Sequence, residues 1–574
     1  MAEYLAPGVY VEEFDSGPMP MQGVGTSTAG FIGVAEKGTS VGTPKLVISF
    51  ADFTRKFGGY LQKNEFGDYR YLAYAVNNFF VNGGTKAYVI RVLPSDATVS
   101  KGVCLEGKEE IIDIKSKNPG KWGNNINIYF EATSDTKTPI LKNLENGKYK
   151  LKSSIGFTVG DVVVLDNAGN LQYNMVTLIS KDNVVDFEKP FEGEVVDANL
   201  VPKIFLKTCE LNIEVAYGEN VEKFENVSFN TDSPNFLEKK LSRSEFIDIN
   251  VKIEKSVTAP IEVVRQIFGG EGNKICISLK GGNNGSSANL TDGDFIGKDE
   301  GPGARTGIQA FLDNSDVNLM IIPGVTSPNV QLSLIQHCEN LGSRFAILDM
   351  PLKNKIISDI LAHKEMIDSD YCALYHPWIR TYDPLDKADM FMPPSGSVAG
   401  IYARCDSARG VHKAPANEIV SNCTGLSVGY NSTEQGLLNP KGVNLIRKFP
   451  GAGIRVWGAR TASSKPLWKY INVRRLFIFL EESIKANTNW VVFEPNDAAL
   501  WARVGRTIEL FLEGIWKTGA LVGGSPGEGF FVDIGPNTMT KDDIDNGRLI
   551  CVIGVAPVKP AEFVIFRITQ KTGE

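Results

Sequence analysis

A serine flanked by small residues stands near the start of the chain and could act as a nucleophile. The stretch MQGVGTSTAGFIGVA, residues 21–35, contains Gly25-Thr26-Ser27-Thr28-Ala29. A serine hydroxyl becomes nucleophilic when a base, most often histidine, takes its proton and a third group orients that base. Ser27 is therefore a candidate catalytic serine only if the sequence supplies those partners.

The histidines of the chain give Ser27 no recognisable base. In the subtilisin triad the order along the chain is Asp, His, Ser, so a histidine must precede the serine. All four histidines follow Ser27 by hundreds of residues, at His337, His363, His376 and His412. We interpret the stretch as a turn that leads into a strand from Ala29 to Ala35, and we predict no catalytic residue. The alternative, a serine hydrolase, predicts that a fluorophosphonate probe labels Ser27.

Phosphate and metal sites are also not predicted. The glycine-rich segments GGNNGSS (281–287) and GGSPGEG (523–529) lack the Gly-Lys-Ser/Thr ending that places a lysine on phosphates. His337 and Cys338 are adjacent on a predicted helix and point in different directions, and DGD (292–294) lacks the remaining spacing of a calcium loop. We therefore expect no bound metal and no cofactor.

Composition indicates a soluble protein of several domains. The chain has 574 residues, 43% of them hydrophobic, and a net charge of −7, which argues against general nucleic-acid binding. Acidic residues interrupt the N-terminus, so a secretory signal is not predicted, and no apolar stretch is long enough for a membrane helix. The eight cysteines are scattered without a C-x-x-C pair, as is typical of reduced thiols. We expect synthesis in a cytoplasm and no direct membrane insertion.

Apolar strands alternate with helical segments on both sides of a different middle region. AGFIGVA, YRYLAYAVNNFFVNGG and AYVIRVL show this rhythm before residue 93, and VNLMIIPG, NVQLSLIQHCENLG and RFAILDMP resume it after residue 300. Continuous apolar strands of this kind predict a mostly parallel sheet that helices cover on both faces. Residues 101–260 instead read as short strands joined by turns, and we interpret them as an exposed β-rich insertion.

Two long amphipathic helices are predicted near the C-terminal end. The first follows Ser463 or Ser464 as a cap, with Pro466 in its first turn, and the second begins after Asn496. Residues 441–520 hold 13 Lys and Arg against six Asp and Glu, a net of +7, so the rest of the chain carries about −14. Two interpretations stay open: a surface for an acidic partner, or internal ion pairs made by Arg460, Arg474 and Arg475.

Each end of the chain carries a strand-like segment that could not hold itself together alone. Near the start, alternating residues stand between two prolines, and near the end EFVIFRITQ alternates after Pro557 and Pro560. Such strands need a sheet to join, in this chain or in another one. The residues concerned are Val9, Tyr10, Val11 and Glu12 at the start and Phe563, Val564, Ile565, Phe566 and Arg567 at the end.

A series of longer phrases runs in order almost from end to end outside the insertion. Their number and order make the chain resemble contractile tail sheath proteins of myophages and of related contractile injection systems. His412 stands where the family commonly has an aromatic residue. The phrases are YLAPGVYVEE, GVGTSTAGFIGVAEKG, GKWGNNINI, TGIQAFLD, VNLMIIPG, RFAILDMP, ALYHPWI, PPSGSVAGIYARCDSARGVHKAPAN, LNPKGVNLIRKFPGAGIRVWGARTASSKPLWKYINVRRLFIFLEESI, VFEPNDAALWARV and GVAPVKPAEFVIFRI.

The resemblance implies a multidomain α/β fold. It has a central domain of subtilisin-like architecture, without that activity, interrupted by the β-rich insertion, then a mixed α/β C-terminal domain and two strand arms. The expected boundaries are an N-terminal arm at 1–20, the sheath domain at 21–100 and 261–400, the insertion at 101–260, the C-terminal domain at 401–555 and a C-terminal arm at 556–574.

The resemblance also implies a structural role. Subunits would polymerise helically around an inner tube and contract to drive that tube through a target envelope, with baseplate and terminator or cap proteins as further partners. Both arms would add as strands to sheets of neighbouring subunits. Arg503, Arg506, Arg474 and Arg475 would be the tube-facing candidates. Assembly in a bacterial cytoplasm, as part of a phage tail, a tailocin or an injection particle, would follow.

Two alternatives to this role stay open. The first is the hydrolase already described. The second is a monomeric surface or carbohydrate-binding protein, which the β-rich insertion suggests and which predicts no polymerisation.

Overall fold

The computed structural model describes most of the chain and divides it into two compact units. The described residues are 21–104, 112–144, 147–167, 170–192, 204–251, 261, 264–265, 267 and 271–565. The body unit comprises Met1–Ala35, Thr39–Val92 and Thr291–Glu574, and the insert unit comprises Glu36–Gly38 and Leu93–Leu290. The predicted arm residues Val9, Tyr10, Val11, Glu12, Phe566 and Arg567 lie outside the described residues.

Strands and helices alternate in the body unit, whereas strands dominate the insert unit. In chain order the described strands are β1 Ala29–Val34, β2 Lys45–Val47, β3 Ala87–Val92, β4 Lys101–Cys104, β5 Ile112–Ser116, β6 Ile126–Thr133, β7 Lys137–Asn143, β8 Lys148–Leu151, β9 Val162–Asn167, β10 Asn170–Ile179, β11 Val184–Phe187, β12 Phe205–Thr208, β13 Glu210–Tyr217, β14 Asn220–Val227, β15 Ile247–Val251, β16 Lys274–Ser278, β17 Leu319–Ile321, β18 Phe345–Asp349, β19 Cys372–His376, β20 Ile379–Asp383, β21 Ala388–Met392, β22 Glu418–Ile419, β23 Gly425–Leu426, β24 Val443–Phe449, β25 Gly453–Val456, β26 Phe530–Ile534 and β27 Cys551–Val555.

The longest helices lie in the second half of the chain. The α-helices are α1 Phe50–Phe57, α2 Lys63–Phe66, α3 Leu72–Val81, α4 Leu237–Leu241, α5 Asp292–Ile296, α6 Pro328–Leu341, α7 Ile357–Glu365, α8 Ser395–Arg409, α9 Ser432–Leu438, α10 Ile471–Asn487, α11 Ala498–Lys517, α12 Pro526–Gly529 and α13 Lys541–Asp545. Short 3₁₀ turns include Gly307–Phe311 and Pro466–Trp468. Within the described residues no helix is both long and apolar enough to cross a membrane.

One nine-stranded sheet forms the centre of the body unit, in the order β2-β3-β1-β17-β18-β19-β24-β25-β22. The six strands from β3 to β24 run parallel. β1 lies between β3 and β17, with Ala29 opposite both Ala87 and Leu319, so the segments before and after the insert unit in sequence share one sheet. The mostly parallel sheet that the alternating pattern predicts is therefore present.

Burial explains why these strands are apolar throughout. Every residue of β1 is buried, as in a parallel sheet covered on both faces. Helices α3 and α8 pack closely because α8 presents glycines to α3. A Cβ added to Gly396 would stand 2.4 Å from the carbonyl oxygen of Ala75, and one on Gly400 would stand 2.4 Å from that of Phe79.

The insert unit has its own sheets and its own cores. Strands β7 to β12 close a six-stranded barrel in the order β10-β11-β8-β7-β12-β9. A four-stranded sheet, β14-β13-β6-β16, and a three-stranded sheet, β15-β5-β4, make up the rest of its described strands. The β-rich character expected for 101–260 extends in the structure over a unit that runs from Leu93 to Leu290.

Near the C-terminal end, α10 and α11 share a core with the pair β26 and β27. Leu476, Leu480, Val504, Ile508 and Phe511 belong to that core.

Two predicted caps of these helices are wrong. Asp497, not Asn496, caps α11 by accepting from the backbone amide of Leu500 at 2.8 Å, while Asn496 accepts from the indole of Trp501. Helix α10 begins at Ile471, after Tyr470, because Pro466 starts a separate 3₁₀ turn.

Candidate assembly site

The last described residues form an exposed apolar run. Phe563, Val564 and Ile565 are 72%, 69% and 79% exposed, and the described chain assigns them no strand. Residues of this kind favour strands with a buried face. Three such residues in a row left in water form an exposed apolar patch, the kind of surface that marks interaction sites.

The pair β26 and β27 is a sheet of only two strands among the described residues. The strands run antiparallel, with Phe530 opposite Val555 and Ile534 opposite Cys551. Their inner face packs on the core of α10 and α11, yet its side chains are only half-buried. A two-stranded sheet is marginally stable alone, and its outer edges offer unpaired backbone N–H and C=O groups.

The outer face of this pair is built around a glycine. Phe531 lies opposite Gly554, and a Cβ added to Gly554 would stand 2.0 Å from the Phe531 ring. The ring covers the glycine while remaining 56% exposed, next to Val552 at 45%. The pair therefore combines two open edges with an exposed apolar face, which suits the addition of further strands.

A glutamate fixes the chain just before the exposed apolar run. The guanidinium of Arg460 donates to both carboxylate oxygens of Glu562, at 2.8 and 2.6 Å. The amide of Asn439 donates at 2.6 Å and the hydroxyl of Tyr470 at 3.2 Å. Partial burial raises the pKa of Glu562, but the hydrogen bonds from Arg460 and Asn439 outweigh that effect and hold the pKa below its usual 4.5. Glu562 is therefore ionised at neutral pH.

Arg503 and Arg506 lie on the exposed side of α11. The guanidinium of Arg503 is 2.9 Å from the carboxylate of Glu494 and 4.5 Å from the centre of the Trp490 ring. Arg506 is exposed, and no carboxylate of the described residues forms an ion pair with it. Arg503 is therefore exposed within an ion pair, and Arg506 is exposed without one among the described residues.

Arg474 and Arg475 are interior, and their prediction as tube-facing residues is corrected. Arg474 is 3.1 Å from Asp370 and stacks 4.2 Å from the centre of the Trp468 ring. Arg475 is 2.5 Å from Asp406, and the side chains of this pair are 3% and 5% exposed.

Arg460 pairs with Glu562. Arg460, Arg474 and Arg475 therefore all make internal ion pairs, as one of the two interpretations of the positive excess predicts. Much of the positive excess counted over 441–520 is thus neutralised inside the molecule.

A strained residue marks the loop between α10 and α11. Phe493 has a φ of 71° and its side chain is fully exposed, with the neighbouring Val492 63% exposed. A non-glycine residue in the left-handed region costs roughly 1–2 kcal/mol. Strain together with an exposed aromatic ring indicates a contact surface rather than a packing requirement.

Three histidines hydrogen-bond to residues other than Ser27. Ser27 lies in the turn before β1, where the neighbouring Thr26 donates to Asp406 at 2.7 Å. His337 contacts Arg344 at 2.6 Å, His363 contacts Gln331 and His376 contacts Tyr430. Desolvation by burial lowers the pKa of His337 to about 3 and that of His376 to about 4, so both are neutral core residues.

Comparison with known proteins identifies this architecture. The sequence profile of the phage tail sheath protein central domain matches residues 297–462, and that of the phage tail sheath C-terminal domain matches residues 463–571. The chain is 25% identical over 284 residues to a putative prophage major tail sheath protein of Pseudomonas aeruginosa (strain UCBPP-PA14). This match spans 48% of this chain and 71% of the relative. The chain belongs to the contractile tail sheath family. Its function is that of a structural sheath subunit.

Other sheath proteins agree with this assignment. The tail sheath protein of Burkholderia phage BcepMu is 24% identical over 304 residues, a match that spans 49% of this chain and 61% of the relative. A chain in the contracted sheath complex of PVC, an extracellular contractile injection system, is 20% identical to this sheath subunit. The two superpose with a TM-score of 0.52, and the match covers 100% of this subunit and 99% of the other chain. The contracted helical sheath of the anti-feeding prophage has a TM-score of 0.51 at 20% identity, covering 98% and 99%. The two structures show a shared fold.

The two matched domain profiles are adjacent in the chain. The two profiles meet between residues 462 and 463, after β25 and before α10. The expected start of the C-terminal domain at 401 stays a prediction, and it falls within α8 and before β22 and β24. Those strands belong to the nine-stranded sheet of the body unit.

Proposed function

We propose that this sheath subunit polymerises helically around an inner tube and contracts to drive the tube through a target cell envelope. The observation that carries the proposal is the combination of an open two-stranded sheet, β26 and β27, with the exposed run Phe563–Ile565 in the same chain. A strand that adds to an open edge gains a ladder of backbone hydrogen bonds and pockets for alternate side chains. One subunit therefore offers both the strand and the edge that a neighbour needs.

Strand exchange then links the subunits. The C-terminal arm, with Phe563, Val564, Ile565, Phe566 and Arg567, and the N-terminal arm, with Val9, Tyr10, Val11 and Glu12, add to the edges of β26 and β27 in neighbouring subunits. The half-buried inner face of that pair supports the proposal, because added strands would widen the sheet over the same core. Pro557 and Pro560 limit the pairing to the residues beyond them.

Contraction follows from a free-energy difference between two lattices of the same subunits. The extended lattice is metastable, and the contracted one is wider, shorter and richer in contacts. Linked arms keep the mesh continuous while the bodies rotate about them. Because each subunit contributes its share, a small difference per subunit sums over the polymer.

The C-terminal domain faces an acidic tube through Arg503 and Arg506. Exposed ion pairs contribute little each, so contacts of this kind hold the tube yet break during contraction. The exposed loop at Phe493 extends the same surface. The variant Arg503→Glu/Arg506→Glu is expected to weaken assembly on the tube protein several-fold, measured by co-sedimentation.

A matched control tests whether the effect on tube assembly depends on where the reversed charges lie or only on the change in net charge. Lys485→Glu/Lys517→Glu reverses two exposed cations of the same domain, each already beside a glutamate. This control is expected to assemble like the wild type. Equal binding by both double variants would contradict the placement of Arg503 and Arg506 at the tube.

Negative-stain electron microscopy of the full chain expressed alone tests the whole proposal. We expect striated hollow sleeves, because the arms and the receiving edges are all present in one chain. If the subunit stays monomeric even when tube and baseplate proteins are supplied, the proposal is wrong.

The proposed role also specifies the architecture of the subunit, its partners and the place where it assembles. The parallel sheet with helices on both faces has a subtilisin-like architecture, but the subunit is not an enzyme and needs no metal or cofactor. It binds no nucleic acid and does not insert into membranes. Baseplate and terminator or cap proteins are its further partners, and assembly occurs in a bacterial cytoplasm before the particle acts outside.

A further inference from the structure

The segment before the exposed apolar run is attached to the subunit's own body at several points. The backbone amide of Val558 donates to the carbonyl of Ala520 at 3.1 Å, and the side-chain amide of Asn472 donates to the carbonyl of Val558 at 3.3 Å. Four residues later the carboxylate of Glu562 meets Arg460, Asn439 and Tyr470. From Phe563 onward the described side chains are exposed.

The strongest of these attachments is an ion pair with two parallel hydrogen bonds. The side chain of Arg460 is 8% exposed and that of Glu562 is 19% exposed, so solvent screens the pair only in part. A bidentate arginine–carboxylate pair also fixes orientation, unlike a lysine pair. Lys469 adds a second cation, 3.9 Å from the same carboxylate.

Arg460 is itself held rigidly by the central sheet. The buried Asn444 of β24 accepts from the backbone amide of Arg460 at 2.7 Å and donates to its carbonyl at 2.7 Å. The same side-chain amide of Asn444 donates to the carbonyl of Leu374 in β19. Glu562 is therefore tied, through one arginine, to two strands of the sheet at the centre of the body unit.

We propose that the pair Arg460–Glu562 is a clamp that sets where the C-terminal arm leaves its own subunit, so that the exchanged strand begins at Phe563. This inference rests on the proposed strand exchange. Opening the clamp would release residues 559–562 into the free segment and lengthen it by about 14 Å at 3.3–3.6 Å per residue. A longer, looser tether lowers the effective concentration of the strand at the neighbour's edge.

The variant Glu562→Gln tests the clamp in the full chain. It keeps the shape of the side chain but removes its charge, and its partly exposed position lets the body fold. Hydrogen exchange of the peptide 556–565 in the unassembled subunit is expected to accelerate about tenfold. Its hydrogen-bonded amides, those of Ala556 and Val558, lie just before the clamp and open more often once the chain beyond them is free. The critical concentration for sleeve formation is expected to rise by a similar factor.

Two further variants test whether the changes in hydrogen exchange and critical concentration come from the loss of the Arg460–Glu562 pair. Glu513→Gln removes an exposed pair with Lys517 in the same domain and should change neither readout. The exchanged pair Arg460→Glu/Glu562→Arg should recover part of the protection that Glu562→Gln loses. Exchange and critical concentration within twofold of wild type for Glu562→Gln would overturn the clamp. Failure of the wild type to form sleeves even with tube and baseplate proteins present would overturn the proposed function instead, and hydrogen exchange would still decide whether the clamp exists.

Discussion

Subunits that end at Glu562 are expected to fold normally yet to form no sheath-like polymers. The truncation removes the exposed run that begins at Phe563 and leaves the clamp and the pair β26 and β27 in place. Circular dichroism and the urea midpoint should match the wild type, because side chains 69–79% exposed contribute little to the core. Sedimentation and electron microscopy should show dispersed subunits. Deletion of residues 1–20 is expected to have the same effect through the other arm.

Single substitutions in the arm give a sharper version of this experiment. Val564→Pro removes one backbone donor and fixes φ, which a paired strand does not tolerate in its interior. Val564→Thr keeps the β-branched shape and the donor, so it serves as the control. The prediction fails if sleeves form from truncated or proline-bearing subunits at the concentration that the wild type requires.

Arg475→Leu is expected to lower the free energy of unfolding of the body unit by about 3–5 kcal/mol. Both oxygens of Asp406 accept from this guanidinium, at 2.9 and 2.5 Å, and Thr26 adds a hydrogen bond at 2.7 Å. Removing the arginine leaves the carboxylate buried and unpaired, and desolvation then has no compensation. Urea denaturation followed by tryptophan fluorescence measures the loss.

Two comparisons decide whether the loss has this cause. Arg503→Leu, on the exposed side of α11, should cost at most about 1 kcal/mol because its pair with Glu494 is in solvent. Arg475→Leu/Asp406→Leu should recover part of the stability by removing both charges together. Equal losses for Arg475→Leu and Arg503→Leu would contradict the assignment of Arg475 to the interior.

The elements that carry strong periodicity could be predicted from the sequence. The unbroken apolar run at Ala29–Val34 and the helical spacing in Leu72–Val81 are both present as predicted. The N-cap of α11 was misplaced by one residue, since Asn496 and Asp497 are both good caps and only the fold decides which side chain reaches the backbone amide of Leu500. Strand Phe530–Ile534 was missed, because a five-residue strand between glycine-rich segments gives little periodicity.

The charged residues could not be placed from the sequence for a different reason. A count of arginines does not distinguish Arg474 and Arg475, each beside an internal carboxylate, from Arg503 and Arg506 on the surface. The partners Asp370 and Asp406 lie about 70–100 residues away along the chain, so no local pattern reveals them. The pair of Arg460 with Glu562 spans 102 residues and was missed likewise. Its one local signal is a lone glutamate between a proline and an apolar run of residues.

The place of β1 in the central sheet has a consequence for how the subunit is made on the ribosome. β1 pairs with β17, and Leu319 follows its partner Ala29 by 290 residues. At about 5–20 residues per second, roughly 15–60 s of translation separate the two strands. Throughout that interval the nascent chain carries an apolar strand with one edge unpaired, while the insert unit, which has its own cores, emerges and can fold. We therefore expect this strand to need protection on the nascent chain until β17 has been made.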